Sequence, residues 1–175
     1  MLLLFLTTNI KFMDYNIRLL QLQDEVILWK MLMLAAHETS LKYVQSQPYL
    51  ARYVQDWGRV GDMGFIASSD KVPIGSAWLR LWSGDNRGFG YIDDETPELA
   101  IAVVPKYRGK GVGTRLLFQV MSAAQDDFPA LSLSVRSDNP VVSLYKRMGF
   151  LKVEGSEVTN QTGSISFNML KKFSW

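Results

Sequence analysis

The sequence predicts an α+β fold built on a sheet of mixed strand pairing, and three observations carry that prediction. Strand-like runs at 64–68 and 74–82 are separated only by a short polar connection, as in an antiparallel hairpin. A nearly all-apolar run, Glu98 to Val104, gives way to helical periodicity, as in a strand buried on both faces and the helix that follows it. From there strand, helix, strand, helix and strand alternate.

The elements follow in order. Tyr15 to Leu20 reads as a first strand. From Asp24 to about Glu38, Val26, Ile27, Trp29, Met31, Leu34 and Ala35 recur at helical spacing. The methionines and Trp29 are read as core filling, and His37 as a partly exposed helix-terminal residue. A shorter helix is expected from Pro48 to Trp57, with proline in its first turn and Gly58, Gly61 and Gly64 ending it. Ser69 to Pro73 joins the two hairpin strands, and a polar, glycine-containing loop spans Ser83 to Thr96. Pro105 closes the apolar strand, since proline cannot donate to a ladder. Val112, Leu116, Leu117, Val120 and Ala124 mark one face of a helix ending near Asp127. Leu131, Leu133 and Val135 alternate with Ser132, Ser134 and Arg136 in a half-buried strand. Pro140 opens a helix carrying Val141, Leu144, Tyr145 and Met148, which Gly149 ends. Phe150–Val153 and Ser164–Leu170 supply two more strands.

With 175 residues, 47% hydrophobic and 21% charged, the chain has the size and composition of one soluble globular domain. It contains no cysteine, which excludes a disulfide framework, a zinc ribbon, an iron–sulfur cluster and a thiol nucleophile. A single histidine excludes a site needing two imidazoles and argues against a histidine-based triad; no metal site is expected. A net charge of +2 is too small to argue for nucleic acid. Lack of cysteine fits a reducing cytoplasm, the expected location. Met1 to Leu6 is apolar but ends at Thr7-Thr8-Asn9, far short of the roughly 20 residues that span a bilayer. It lacks the basic lead and cleavage site of a secretory signal. Residues 1–12 are therefore expected to be an extra hydrophobic leader, with Met13 an alternative start, and no membrane association is expected.

Chemistry concentrates between the buried strand and its helix, in Lys106-Tyr107-Arg108-Gly109-Lys110-Gly111-Val112-Gly113-Thr114. Alternating glycines let backbone approach a ligand, and a helix N-terminus offers unpaired N–H groups and partial positive charge. Lys106, Arg108, Lys110 and Arg115 add cations, with no acid in the segment. The combination is an anion cradle, suited to a phosphate or pyrophosphate. A Walker loop needs Gly-Lys-Ser/Thr after four intervening residues, which is absent. The dinucleotide fingerprint needs a glycine where Thr114 stands. A plain helix-start turn is the bland alternative, and three glycines with four cations argue against it.

Glu98 to Pro105 followed by Tyr107 to Gly113 resembles the acetyl-CoA motif of the GNAT family of N-acetyltransferases, Arg/Gln-x-x-Gly-x-Gly/Ala, matched by Arg108, Gly111 and Gly113. A second block, Asp138 to Phe150, matches downstream, so the resemblance covers residues 98–150, about a third of the chain. It implies a mostly antiparallel sheet of six to seven strands flanked by about four helices, acetyl-CoA as co-substrate, and residues 98–150 as its binding core. It further implies that Ile101, Ala102 and Val103 present backbone to the pantetheine arm. Arg108, Gly109, Lys110, Gly111, Val112, Gly113 and Thr114 would bind the pyrophosphate. Asn139 would contact the pantetheine region, although Asp138 occupies the position where the family often has its asparagine.

The implied reaction moves an acetyl group from a thioester to an amine, in a ternary complex without a covalent enzyme intermediate. An alkyl amine of pKa about 10.4 is only about 0.1% neutral near pH 7.4, so a base is needed. Glu98, acting directly or through water, is the candidate; a solvated strand-end carboxylate is the alternative. Tyr145 matches the position from which family members protonate the departing thiolate. With a thiol near pKa 8.5 and a tyrosine near 10, unassisted transfer costs roughly 2 kcal/mol, so a hydrogen bond to sulfur or a lowered pKa is implied; a core-facing tyrosine is the alternative. A strand N–H such as that of Val103 would hold the oxyanion.

The acceptor amine is not specified. Asp85, Asp93, Asp94, Glu95 and Glu98 against Arg87 make the 83–98 segment acidic, which attracts a cation or serves as a solvated loop. Tyr49, Tyr53, Trp57, Trp78 and Trp82 are candidates for an acceptor pocket, core or homodimer contacts. A non-catalytic acyl-CoA sensor of the same fold stays open beside the enzyme. A nucleotide-binding module of another fold is opposed by the missing spacings.

Overall fold

The computed structural model describes residues 13–174, so the expected leader at 1–12 lies outside the described residues. A short first strand, β1 (Asn16–Leu19), leads through a 3-10 turn into α1 (Glu25–Ala35). Asp24 fixes this entry. Its buried carboxylate accepts from both terminal nitrogens of Arg18, at 2.7 and 2.9 Å, and from the amide of Gln21 at 2.8 Å. Two short helices follow, α2 (Leu41–Ser46) and α3 (Pro48–Ala51), then the antiparallel strands β2 (Met63–Ser69) and β3 (Val72–Arg80). The hairpin turn is tighter than the expected 69–73 connection: only Asp70 and Lys71 lie between the strands. Both are left-handed (φ 48° and 65°), as a two-residue hairpin requires.

After a long loop come β4 (Glu98–Val103), α4 (Val112–Ala124), β5 (Ala130–Arg136) and α5 (Val142–Arg147). Two-residue strands β6 (Leu151–Lys152) and β7 (Val158–Thr159) and the long β8 (Ile165–Lys172) end the described chain. The sheet runs β1-β2-β3-β4-β5-β8-β6, with β7 also on β8. Only β4 and β5 pair in parallel. The mixed, mostly antiparallel α+β architecture is the predicted one. Among the described residues there are eight strands and five helices, where six to seven and about four were expected.

The additions are α2, which Ser40 caps by accepting the Tyr43 amide at 3.1 Å, and the small β7. The helix expected from Pro48 to Trp57 stops at Ala51. Asp56 turns left-handed (φ 58°), and the guanidinium of Arg80 takes the carbonyls of Arg52 and Gln55, both at 2.7 Å. Arg80 itself is held on buried Asp62 by two hydrogen bonds of 3.0 and 2.7 Å.

The sheet has a core on each face. Val112, Leu116, Leu117, Val120 and Ala124 of α4 pack on strands from both halves of the sheet, among them Ala77, Leu99, Leu131 and Phe167. On the opposite face, Leu28, Met31 and Leu32 of α1 meet Trp78, Trp82 and Ala102. No described helix is long and apolar enough to cross a membrane.

Candidate active site

The site exists because two adjacent strands part. Strand β4 pairs with β5 at a single register position, Glu98 with Ser132, reinforced by the Ser132 amide donating to the Pro97 carbonyl at 3.0 Å. Beyond it the strands separate, and the gap opens into a cleft of about 740 Å³. Its floor is Ile101, Ala102 and Val103. One end is Arg108, Gly109, Gly111, Gly113 and Thr114; the wall along α5 carries Asn139, Ser143, Leu144, Tyr145 and Arg147.

The glycine-rich end is shaped by backbone conformation. Gly109 and Gly111 are left-handed (φ 71° and 82°), and a Cβ at either would meet nothing within 4 Å. Glycine stands there because L side chains disfavour that φ, not because space is short. Gly111 starts α4 with no side-chain cap and no acid in the first turn, which leaves the first amides of the 13-residue helix for a ligand. Arg108 is anchored by its Nε, which donates to the Val103 carbonyl at 2.9 Å. The donor set, main-chain N–H groups plus cations around an open concavity, fits a pyrophosphate.

Tyr145 sits where core and cleft meet. It is buried in the core beside Phe150, with ring centroids 5.8 Å apart, and it lines the cleft. Burial pushes its phenol well above the usual value, so it holds its proton at neutral pH. Asn139 lines the cleft too, and its Oδ1 accepts the Val141 amide at 3.0 Å at the start of α5. Asp138 beside it pairs with Arg136 on the surface, at 2.7 and 3.1 Å.

Glu98 is not among the cleft-lining residues and is not a solvated carboxylate; it is 3% exposed. Tyr53 donates to its Oε1 at 2.7 Å and Trp82 Nε1 to its Oε2 at 2.8 Å. Above it sits the Gly88-Phe89-Gly90 turn, whose Phe89 amide donates to the Tyr53 hydroxyl at 2.7 Å. A Cβ on Gly88 would lie 2.2 Å from Glu98 Oε2, so only glycine lets this turn seat on the carboxyl. Burial raises the Glu98 pKa to about 7, against the lowering effect of its hydrogen bonds. Val112 faces the core and Lys110 lies over the Tyr107 ring, and neither lines the cleft.

Residues 29–150 match the model of the acetyltransferase (GNAT) family, most of the chain. The chain belongs to the GNAT family. The N-alpha-acetyltransferase of Saccharolobus solfataricus is 39% identical over 115 residues, 63% of this chain and 68% of that protein. The N-alpha-acetyltransferase of Sulfurisphaera tokodaii is 33% identical over 95 residues, 51% of this chain, and the match spans little more than half of that relative (57%). The yncA protein of Salmonella typhimurium, solved with its cofactor acetyl-CoA, superposes with a TM-score of 0.69 at 17% identity, covering 93% of this chain and 95% of that one.

Several residues of this GNAT cleft escaped the sequence reading. Leu34, Ala35 and His37 reach it from the end of α1, where His37 is left-handed (φ 57°), and Arg136 and Arg147 from the β5–α5 side. Tyr53 and Trp82 stood out only as aromatics. Their partnership with Glu98 spans 45 and 16 residues of sequence, and no local pattern encodes it.

Proposed function

We propose that this GNAT protein transfers an acetyl group from acetyl-CoA to an amine by direct attack in a ternary complex, with peptide N-terminal α-amines as the preferred acceptor class. The observation that carries the proposal is the cleft between β4 and β5, which has an uncapped glycine-rich helix start at one end and protonated Tyr145 inside. Bound acetyl-CoA would supply the activated acyl carbon and a thiolate leaving group. The main-chain amides of the 109–114 loop, with Arg108, hold the pyrophosphate, and the backbone of Ile101 to Val103 and Asn139 holds the pantetheine arm. As the amine nitrogen bonds to the acyl carbon, a strand amide such as that of Val103 donates to the carbonyl oxygen. The carbon–sulfur bond breaks toward the Tyr145 hydroxyl, which hydrogen-bonds the departing sulfur.

An ammonium acceptor sheds a proton twice: the one that must leave before attack goes to Glu98, and the one released as the adduct collapses leaves with the CoA sulfur as a thiol. Ile101 lies three residues, about 10 Å, along the strand from Glu98, which favours a relay over direct contact. The acceptor's own pKa discriminates among amines whatever the base, and a base of pKa about 7 keeps the easier of the transfers nearly level. Taking a proton from an α-ammonium of pKa about 7.7–8.0 is uphill by about 1 kcal/mol, and from a lysine-like ammonium by about 5 kcal/mol. The archaeal relatives named N-alpha-acetyltransferases agree with this preference.

Calorimetry with acetyl-CoA, followed by CoA release across peptide α-amines, lysine ε-amines and polyamines, tests the proposal. Micromolar acetyl-CoA binding with fastest release on α-amines is expected, and Tyr145→Phe should bind acetyl-CoA normally and turn over about tenfold more slowly. No acetyl-CoA binding would refute the cofactor assignment. Binding without CoA release on any amine would make the protein an acyl-CoA sensor.

A further inference from the structure

The Glu98 carboxyl is enclosed on several sides. Tyr53 and Trp82 occupy it from one side, and the Gly88-Phe89-Gly90 turn covers it. A Cβ on Gly90 would lie 2.8 Å from the Glu98 carboxyl and 2.9 Å from the Leu133 carbonyl carbon, so the turn spans from Glu98 to β5. Arg80, opposite Glu98 on β3, is committed to Asp62 and backbone carbonyls. The gap between β4 and β5 leads from the carboxyl toward the cleft.

That gap has an unusual lining. Register places Ser132 beside Glu98 on the same sheet face, opposite the face on which Leu99, Leu131, Leu133 and Val135 pack. Ser132 is fully buried, and its hydroxyl has no hydrogen-bond partner. A buried, unpartnered hydroxyl costs stability, and no hydrogen bond among the described residues uses it. Ser134 is next on that face and only half-buried, and after it Arg136 lines the cleft. On the β4 side the facing positions are the small residues Ala100 and Ala102. The hydroxyls thus run from an enclosed carboxyl to the open cleft at two-residue spacing, the spacing that keeps side chains on one face of a strand.

We propose that Ser132 and Ser134, with water between them, form the relay that carries the acceptor's proton from the cleft to Glu98. The inference rests on the acetyltransfer reading above. Each hydroxyl accepts one proton and passes on its own, so the serines end unchanged and Glu98 gains the proton that the ammonium sheds before attack. The charged and titratable groups around this path are few. Tyr53 donates to Glu98, and Arg52 sits near Tyr53 with its side chain on the Arg87 carbonyl. Arg59 lies over the Trp82 ring, and Arg136 at the cleft end is paired with Asp138.

The test is Ser132→Ala, with Ser132→Thr as the hydroxyl-preserving control. A purely structural serine predicts an alanine variant of equal or higher stability and unchanged kinetics. The relay predicts equal or higher stability with kcat about 10- to 100-fold lower, the low end of what proton transfer contributes. Acetyl-CoA affinity and KM should be unchanged, and the threonine variant should recover most of the rate. The double variant Ser132→Ala/Ser134→Ala should be no slower than the slower single one, because breaking one path twice costs no more than breaking it once.

A second readout needs no turnover. The infrared carboxyl band of Glu98, assigned by its loss in Glu98→Gln, should titrate at higher pH in Ser132→Ala, because the relay has this otherwise unpartnered hydroxyl turn, through water, toward the carboxylate once it ionises, and alanine removes that donor. If Ser132→Ala leaves both kcat and the Glu98 titration at wild-type values, the relay is wrong while acetyl transfer stands. If wild-type protein releases no CoA with any amine, acetyl transfer is wrong whatever the titration shows.

Discussion

Glu98→Gln should make the protein more stable above neutral pH and nearly inactive. The carboxyl is raised from 4.5 to about 7, chiefly by burial. Between those values the folded protein keeps a proton that the unfolded chain has released, so stability falls as pH rises through that window. Above about pH 7.5 the loss is complete. A gap of roughly 2.5 pH units at about 1.36 kcal/mol per unit amounts to about 3 kcal/mol. Glutamine carries no charge and has no such slope. It cannot accept from every donor that meets the carboxylate, which costs about 1 kcal/mol, but that cost is nearly independent of pH and shifts the offset only. Asp24, Asp138 and Glu157, all held below the usual carboxylate range by cationic partners, titrate alike in both proteins and cancel. Urea unfolding at pH 5, 6, 7 and 8 measures the difference, variant minus wild type. It should grow by about 3 kcal/mol from the acid to the alkaline end. Two curves running parallel across this range would refute the reasoning, because the carboxyl would then feel no penalty on ionising.

Two further outcomes follow from other parts of the structure. Asp62→Ala strands the buried Arg80 guanidinium without its counter-charge, and should cost about 3–5 kcal/mol in the same urea assay; a loss below 1 kcal/mol would mean the pair is not anchoring the turn after α3. Gly111→Ala meets no neighbour but must hold a left-handed φ of 82°, so stability should fall by only about 1–2 kcal/mol. Its acetyl-CoA Kd by calorimetry should rise at least tenfold; an unchanged Kd would detach this loop from the cofactor.

What could be read from the sequence was local. Strand β4, the glycine loop and α4 were legible because burial on both faces, alternate glycines and a five-residue apolar stripe each leave a continuous pattern. Helix α2 was not, because its six residues bury only Val44 and leave no stripe. The helix from Pro48 is shorter than its sequence suggests, because Arg80, 28 residues on, takes the Arg52 carbonyl at its end. In the site, the residues expected to bind cofactor, Asn139 apart, came from one contiguous segment, and all but Lys110 and Val112 line one cleft. Glu98 was legible as a carboxylate at the head of a strand; its enclosure was not. Burial there is assembled from residues 53, 82 and 88–90, each ordinary in its own stretch of chain.

The parting of β4 from β5 also decides how the molecule is held together. The α4-side core draws on both halves of the sheet, whereas the described residues of the opposite core all fall between Leu20 and Val104. The two half-sheets are thus bound along one side, like pages along a spine, and fall open toward α1. A ligand lying in the opening would take the place of the missing ladder and tie the free margins together. Binding then adds rigidity where the chain has least of its own, and by mass action a hundredfold excess of ligand over its Kd stabilises the whole fold by about 2.7 kcal/mol. A ligand bound there would double as the missing rung of the sheet.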